Sequence, residues 1–278
     1  MDLRCRYSES AKIAVTGSTG YIGSCLIDAW GEGCFAETPF SNVPAGALVL
    51  HFAANISQSS VSVAENVMID MHVLDVANAK HRGVIYLSGN NVYPYMRDCR
   101  VTDFVRVMDN YSASKVFGER IFCDLAKVPV VILRVADVFG AGQRHGNFFK
   151  AVEAAVLQGS SLRLYGQGLK RRTYIHAREL VHFIRWIAQD SFAEMAQRKI
   201  LNVGYPDALS VKDILDRVSV RASLPVEVKV LEQDNSALDI RTMEVAFPSG
   251  YRPLWPTFAE ALDAYVDELI EQKAGVAT

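Results

Sequence analysis

The chain has 278 residues, half of them hydrophobic and 22% charged, which suits one large α/β domain or such a domain with a smaller appendage. A formal net charge of −2 shows none of the basic excess that marks a nucleic-acid or anionic-membrane surface. Five cysteines (Cys5, Cys25, Cys34, Cys99, Cys123) form an odd set without C-x-x-C spacing, which points away from a metal or disulfide framework and towards a cytoplasmic location. The first twelve residues hold Arg4, Arg6 and Glu9 and no apolar signal-peptide core, and no apolar run reaches bilayer length.

In chain order, Lys12 to Thr16 is a short β-branched run that enters the turn Gly17-Ser18-Thr19-Gly20-Tyr21-Ile22-Gly23. Helical spacing continues over residues 21–30, so the turn lies between a strand and a helix, the context a nucleotide-binding glycine motif requires. Residues 48–52 predict a buried strand running into His51-Phe52-Ala53-Ala54-Asn55. Only 27 residues, Ser24 to Leu50, separate the two features. One strand–helix–strand unit needs roughly 30, so the sheet is expected to be truncated on the adenine side, with at most one strand over residues 34–37. A helix over 61–80, a strand over 83–88, a helix over 111–126 and a strand over 130–134 follow. Such alternation predicts a doubly wound, Rossmann-like parallel sheet.

Beyond about residue 140 the elements shorten: a helix over 147–158, short strands over 162–165 and 172–176, and a helix over 177–189. Ser210-Val211-Lys212-Asp213 and Thr257-Phe258-Ala259-Glu260 open helices as capping boxes, and residues 226–232 alternate like a half-exposed strand. The expected division is a dinucleotide-binding domain over 1–145 and a mainly substrate-binding, small α/β region over 146–278, interleaved with the first.

Tyr111 and Lys115 stand four apart, on one face of their helix. A free tyrosine titrates near pH 10, and a neighbouring ammonium favours the phenolate, which is what a proton acceptor at neutral pH needs. Alone, such a pair is equally a surface i,i+4 contact; beside the glycine turn it becomes a candidate for moving a proton while a cofactor moves a hydride.

With Thr16-Gly17-x-x-Gly20-x-x-Gly23, His51-x-Ala53-Ala54, Asn66-Val67, Tyr86-Leu87-Ser88 through Val92-Tyr93, Tyr111-x-x-x-Lys115 and Leu133-Arg134 in that order, the chain resembles the extended short-chain dehydrogenase/reductase family, in its nucleotide-sugar epimerase/dehydratase branch. Gly140-Ala141-Gly142-Gln143-Arg144, Gly166-Gln167-Gly168 with Arg172, and Gly250-Tyr251-Arg252-Pro253 extend the resemblance over most of the chain. It implies an NAD or NADP site, NAD favoured, with Gly17, Gly20, Tyr21, Ile22 and Gly23 at the pyrophosphate, Ala53 and Ala54 along the cofactor, and Lys115 reaching the nicotinamide ribose. It implies Tyr111, Lys115 and Ser88 as catalytic residues, a nucleotide-diphosphate sugar as substrate, Arg172 with Arg144 and Arg241 at the diphosphate, Asn90 and Asp137 near the sugar, and a homodimer through two helices per subunit. Glu37 is the candidate for the adenine-ribose carboxylate. No residues have metal-ligand spacing.

Two departures from the family pattern bear on the chemistry. Its catalytic Ser or Thr falls at Gly89, so Ser88 or Asn90 must serve, or the function is absent. Asn90 and Asn91 stand where dehydratases of the branch carry an acidic pair, which argues against dehydration. Asp137 replaces an asparagine, and a carboxylate there needs an arginine partner, for which Arg144 is a candidate. His51 reads as a strand-end packing residue, and Phe148, Phe149 and Tyr174 as core. The expected function is epimerisation or reduction at C4 of a nucleotide-diphosphate sugar through a 4-keto intermediate. A reductase of a smaller carbonyl compound and a catalytically impaired dinucleotide-binding scaffold or sensor are the alternatives.

Overall fold

The computed structural model describes residues 3–143 and 148–276. Two compact units make up the chain: Met1–Pro94 with Val101–Val135 and Val181–Val203, and Tyr95–Arg100 with Ala136–Leu180 and Gly204–Thr278. Among the described residues, no helix is long and apolar enough to cross a membrane.

The first unit is built on a seven-stranded sheet. Its strands are β1 (Arg4–Ser8), β2 (Ile13–Thr16), β3 (Ala36–Pro39), β4 (Leu48–His51), β5 (Gly83–Gly89), β6 (Val130–Val135) and Ile200–Val203. Across the sheet the order runs Ile200–Val203, β6, β5, β4, β2, β1, β3. β2, β4, β5, β6 and the Ile200–Val203 strand are parallel, with Thr16 beside His51 and His51 beside Tyr86. β4 and β6 are buried at every residue, which is why they read as unbroken apolar runs and not as alternation.

The segment after the glycine turn holds helix α1 (Tyr21–Trp30), a short turn of 3₁₀ helix at Glu32–Cys34, and β3. This is the shortened arrangement its length predicts, although β3 begins two residues later than expected. The sequence reading missed β1, which runs antiparallel between β2 and β3, with Cys5 opposite both Thr16 and Thr38. Two arginines in five residues hide the strand pattern. Cys5 is buried among Phe40, Val43 and Val49, and Arg4 and Arg6 take the alternate positions.

Helices α2 (Ser60–Lys80) and α3 (Asn110–Asp124) pack against each other and cover one face of the sheet. Ser59 caps α2 by accepting from Ser62 N. α3 opens with a capping box in which Asp109 accepts from Ser112 N at 2.7 Å and Ser112 Oγ accepts from Asp109 N at 2.9 Å. The two helices approach closely at Gly118, where an added Cβ would overlap the Tyr86 hydroxyl and the Asp70 carboxylate. Both groups are buried and hydrogen-bonded, so neither moves cheaply. Gly118→Ala is expected to destabilise the protein by about 1–3 kcal/mol despite alanine's better helix propensity; chemical denaturation measures it, and a neutral result would mean that the helices can part.

The second unit contains three parallel two-stranded ladders: Asp137–Phe139 with Tyr174–His176, Leu162–Tyr165 with Val226–Lys229, and Arg171–Arg172 with Ile240–Arg241. Phe139, Phe149, Tyr174, Phe258 and Tyr265 form its aromatic core, with Phe139 and Phe149 stacked at 4.6 Å. Ser210 and Asp213 form the expected capping box of the helix Val211–Ala222. Thr257 and Glu260 bond reciprocally at the start of the helix Phe258–Val276.

Candidate functional site

The glycine turn has a steric reason at each end. Gly17 has φ of 69°, and a Cβ there would come within 2.5 Å of Ala53 N. A Cβ on Gly23 would overlap Gly17 O and approach Ser18 Cα to 2.8 Å. Only glycine allows the Phe52–Ala53 backbone and the first turn of α1 to close on this loop. α1 starts at Gly20 without a side-chain cap, so its first-turn N–H groups and the positive end of its dipole are directed at the turn. A Cβ-free cradle at an uncapped helix N-terminus fits a dinucleotide pyrophosphate.

Tyr111 and Lys115 lie in the first half of α3. Tyr111 is half-buried and Lys115 is buried. The Lys115 ammonium donates to Leu87 O at 2.8 Å, sits 4.9 Å from the Tyr86 ring centre and lies 5.7 Å from that of Tyr111. Two phenols therefore flank one ammonium, and their surroundings separate them. Tyr86 is fully buried and donates to Asp70 Oδ2 at 3.1 Å; burial, then the Asp70 carboxylate, pushes its phenol well above the ordinary range. Tyr86 stays a neutral donor. Its carboxylate partner is held in turn by His51, whose Nε2 lies 2.8 Å from Asp70 Oδ1 and whose Nδ1 lies 2.6 Å from Thr16 Oγ1. His51 is thus a buried packing and hydrogen-bonding residue at the end of β4, as its position suggests.

A second buried network fixes α3 to the sheet. Arg134 on β6 donates from Nη2 to Glu119 Oε2 at 2.7 Å and from Nη1 to Tyr93 Oη at 2.8 Å, and Tyr93 donates to Asn202 at 2.8 Å. Burial by itself pulls the guanidinium's pKa down, but the Glu119 hydrogen bond and charge outweigh it and the net direction is upward. Ser88 donates to Glu119 Oε1 at 2.6 Å, and its hydroxyl is directed into this network. At Gly89, an added Cβ would lie 2.7 Å from Asn91 Oδ1, and the Asn91 amide is buried without a hydrogen-bond partner among the described residues. The space over Gly89 is filled by an amide. Asn90 is buried beside it.

In the second unit, Arg172 and Arg241 are register neighbours on adjacent strands. Their guanidiniums lie 5.4 and 4.7 Å from the ring centre of Tyr95, a residue with no motif to announce it. Arg172 donates to the Asp239 carboxylate and to Asp239 O at 2.8 Å, and Asp137 stands 3.9 Å away. Arg172 thus lies within ion-pair distance of Asp137; Arg144, the partner the sequence offers, lies outside the described residues. Burial pushes the Asp239 carboxyl up, but hydrogen bonds from Arg172 and Lys170 hold it below the usual carboxylate range. Arg241 Nε is buried with no hydrogen-bond partner among the described residues. Asp239 also lines a cavity of about 840 Å³, together with Phe148, Leu162, Tyr165 and Leu215.

Comparison with known proteins bears on the family and the fold. The NAD dependent epimerase/dehydratase family matches residues 35–204. A crystal structure of UDP-galactose 4-epimerase is 25% identical, with a TM-score of 0.72 over 94% of this chain and 99% of the other. UDP-N-acetylglucosamine 4-epimerase from Methanobrevibacter ruminantium M1 has the same fold at 20% identity, with a TM-score of 0.72 over 94% of this chain and 98% of the other. dTDP-glucose 4,6-dehydratase from Bacillus anthracis shares it at 17% identity, with a TM-score of 0.71 over 94% and 96%. With a Rossmann-like sheet, a glycine cradle and a family match over more than half its length, the chain belongs to the NAD-dependent epimerase/dehydratase family.

Proposed function

We propose that the protein is an NAD(P)-dependent epimerase or reductase acting at C4 of a nucleotide-diphosphate sugar, with Tyr111 as the proton-transfer group. The observation that carries this reading is the contrast between the two phenols beside Lys115: Tyr86 is buried and bound to Asp70, whereas Tyr111 is half-exposed at the start of α3. Gly17, Gly20 and Gly23 would receive the pyrophosphate, with the N–H groups of Tyr21 and Ile22 at the helix start and Ala53 and Ala54 alongside. A bound nicotinamide dinucleotide supplies hydride acceptance and return. Tyr111 takes the proton of the C4 hydroxyl as that carbon becomes a ketone, and gives it back when the ketone is reduced. Lys115 supplies positive charge while the proton is away from the sugar. Ser88 is assigned to holding α3 through Glu119, not to proton transfer, and no hydroxyl replaces it at Gly89. Loss of one oxyanion donor costs about 10²–10³ in rate, so turnover is expected to be slow for this chemistry.

Arg172 and Arg241 are the proposed diphosphate ligands, since a planar fork matches such oxygens. The cavity beside Asp239, with Phe148 and Tyr165 in its wall, is proposed to receive the nucleoside. Asp137 and Asp239 balance Arg172 until the diphosphate binds. UDP or dTDP should raise the unfolding temperature of the protein, and Arg172→Ala should weaken that binding by about 10–100-fold, the worth of a hydrogen bond to a charged group. No protection by either diphosphate at millimolar concentration would remove the sugar-nucleotide assignment and favour the smaller carbonyl substrate.

A further inference from the structure

Resting on the dinucleotide reading of the glycine turn, we propose that Arg4 makes this protein selective for the 2′-phosphorylated cofactor, NADP, over NAD. The argument begins with sheet order. In a Rossmann-like sheet the strand beside the glycine-turn strand carries, at the sheet's carboxyl edge, the side chain that meets the adenine ribose: a carboxylate for a free 2′-hydroxyl, an arginine for a 2′-phosphate. Here that place is taken by β1, which is antiparallel to β2, so its first residues and not its last lie at the carboxyl edge. Cys5 pairs with Thr16, the last residue of β2. Arg4, one step further, stands level with Gly17 and opposite Pro39.

Among the described residues, three facts place a cation and not a carboxylate there. Cys5 is buried in the core under α2, so the alternation of the strand sends Arg4 to the other face, where it is exposed. Arg6 follows on that same face. Glu37, the carboxylate that the sequence offers for the ribose, pairs with Arg6 and not with β2. It lies two ladders from β2, roughly 9–10 Å away at the usual strand spacing, and level with Val15, short of the carboxyl edge. Among the described residues, a ribose beside the glycine turn would meet a guanidinium first. A phosphate monoester there carries about −1.5 to −2 charge, and a fork of N–H donors binds it in paired hydrogen bonds.

The test is equilibrium binding of NADP and NAD to the purified full chain, followed by intrinsic fluorescence or calorimetry, for the wild type, Arg4→Ala and Arg4→Lys. The expected result is NADP tighter than NAD by about 10-fold or more, the worth of one charge-assisted contact. Arg4→Ala should erase that preference while changing NAD affinity less than about threefold, and Arg4→Lys should restore part of it. An unchanged unfolding curve for Arg4→Ala shows that β1 still pairs. NAD bound as tightly as NADP by the wild type, or a preference untouched in Arg4→Ala, overturns the assignment. If neither dinucleotide binds, the reading of the glycine turn itself fails, a distinct outcome.

Discussion

Tyr111→Phe is expected to lower turnover of a nucleotide sugar by about 10²–10⁴-fold, the usual contribution of a positioned acid–base group, while dinucleotide affinity stays within about twofold of wild type. The substitution removes one oxygen from a half-exposed ring and leaves the capping box of α3 untouched, so the fold has no reason to change. The nearest phenol cannot take over. Tyr86 is fully buried, donates to Asp70 and is held well above the ordinary range by burial and by that carboxylate. Steady-state rates with UDP- and dTDP-hexoses, set beside a dinucleotide titration, separate chemistry from binding. Wild-type turnover in Tyr111→Phe would show that the proton moves elsewhere.

The second large effect is on stability. Arg134→Met should cost about 3–5 kcal/mol, because it strands the Glu119 carboxylate in the interior without its partner. Both side chains of this pair are about 5% exposed, and Ser88, Tyr93 and Val101 depend on the same two groups. The pair itself is worth much less than that penalty, so Arg134→Met with Glu119→Leu should recover most of the loss. Urea unfolding of the single and double variants measures both. A double variant as unstable as Arg134→Met alone would mean that the guanidinium matters for its own packing and not for the buried charge.

Much of this architecture is legible in the sequence because its signals are local. The glycine turn, the apolar runs of β4 and β6 and the capping boxes at Ser210 and Thr257 each depend on residues close together in the chain. What escapes depends on distant partners. β1 looks like a polar leader until β2 and β3 are seen to flank it, when Cys5 is buried and Tyr7 packs on the same core. Ser88 carries the family's neighbouring-serine position, yet its partner Glu119 is 31 residues away and decides its role. Asp70 and Gly118 are unremarkable separately; the first takes a hydrogen bond from Tyr86 and the second is small to leave it room. Tyr95 acquires meaning only because Arg172 and Arg241, from two different strands, lie against it.

We propose that Tyr111 takes the proton of a sugar C4 hydroxyl. The decisive experiment mixes the protein, loaded with oxidised dinucleotide, with UDP- or dTDP-hexoses and follows the near-ultraviolet absorbance of reduced nicotinamide. A rise with a hexose bearing a free C4 hydroxyl, absent with its 4-deoxy analogue and absent in Tyr111→Phe, is the predicted result. A rise of equal size with the 4-deoxy compound, or in the phenylalanine variant, would contradict it.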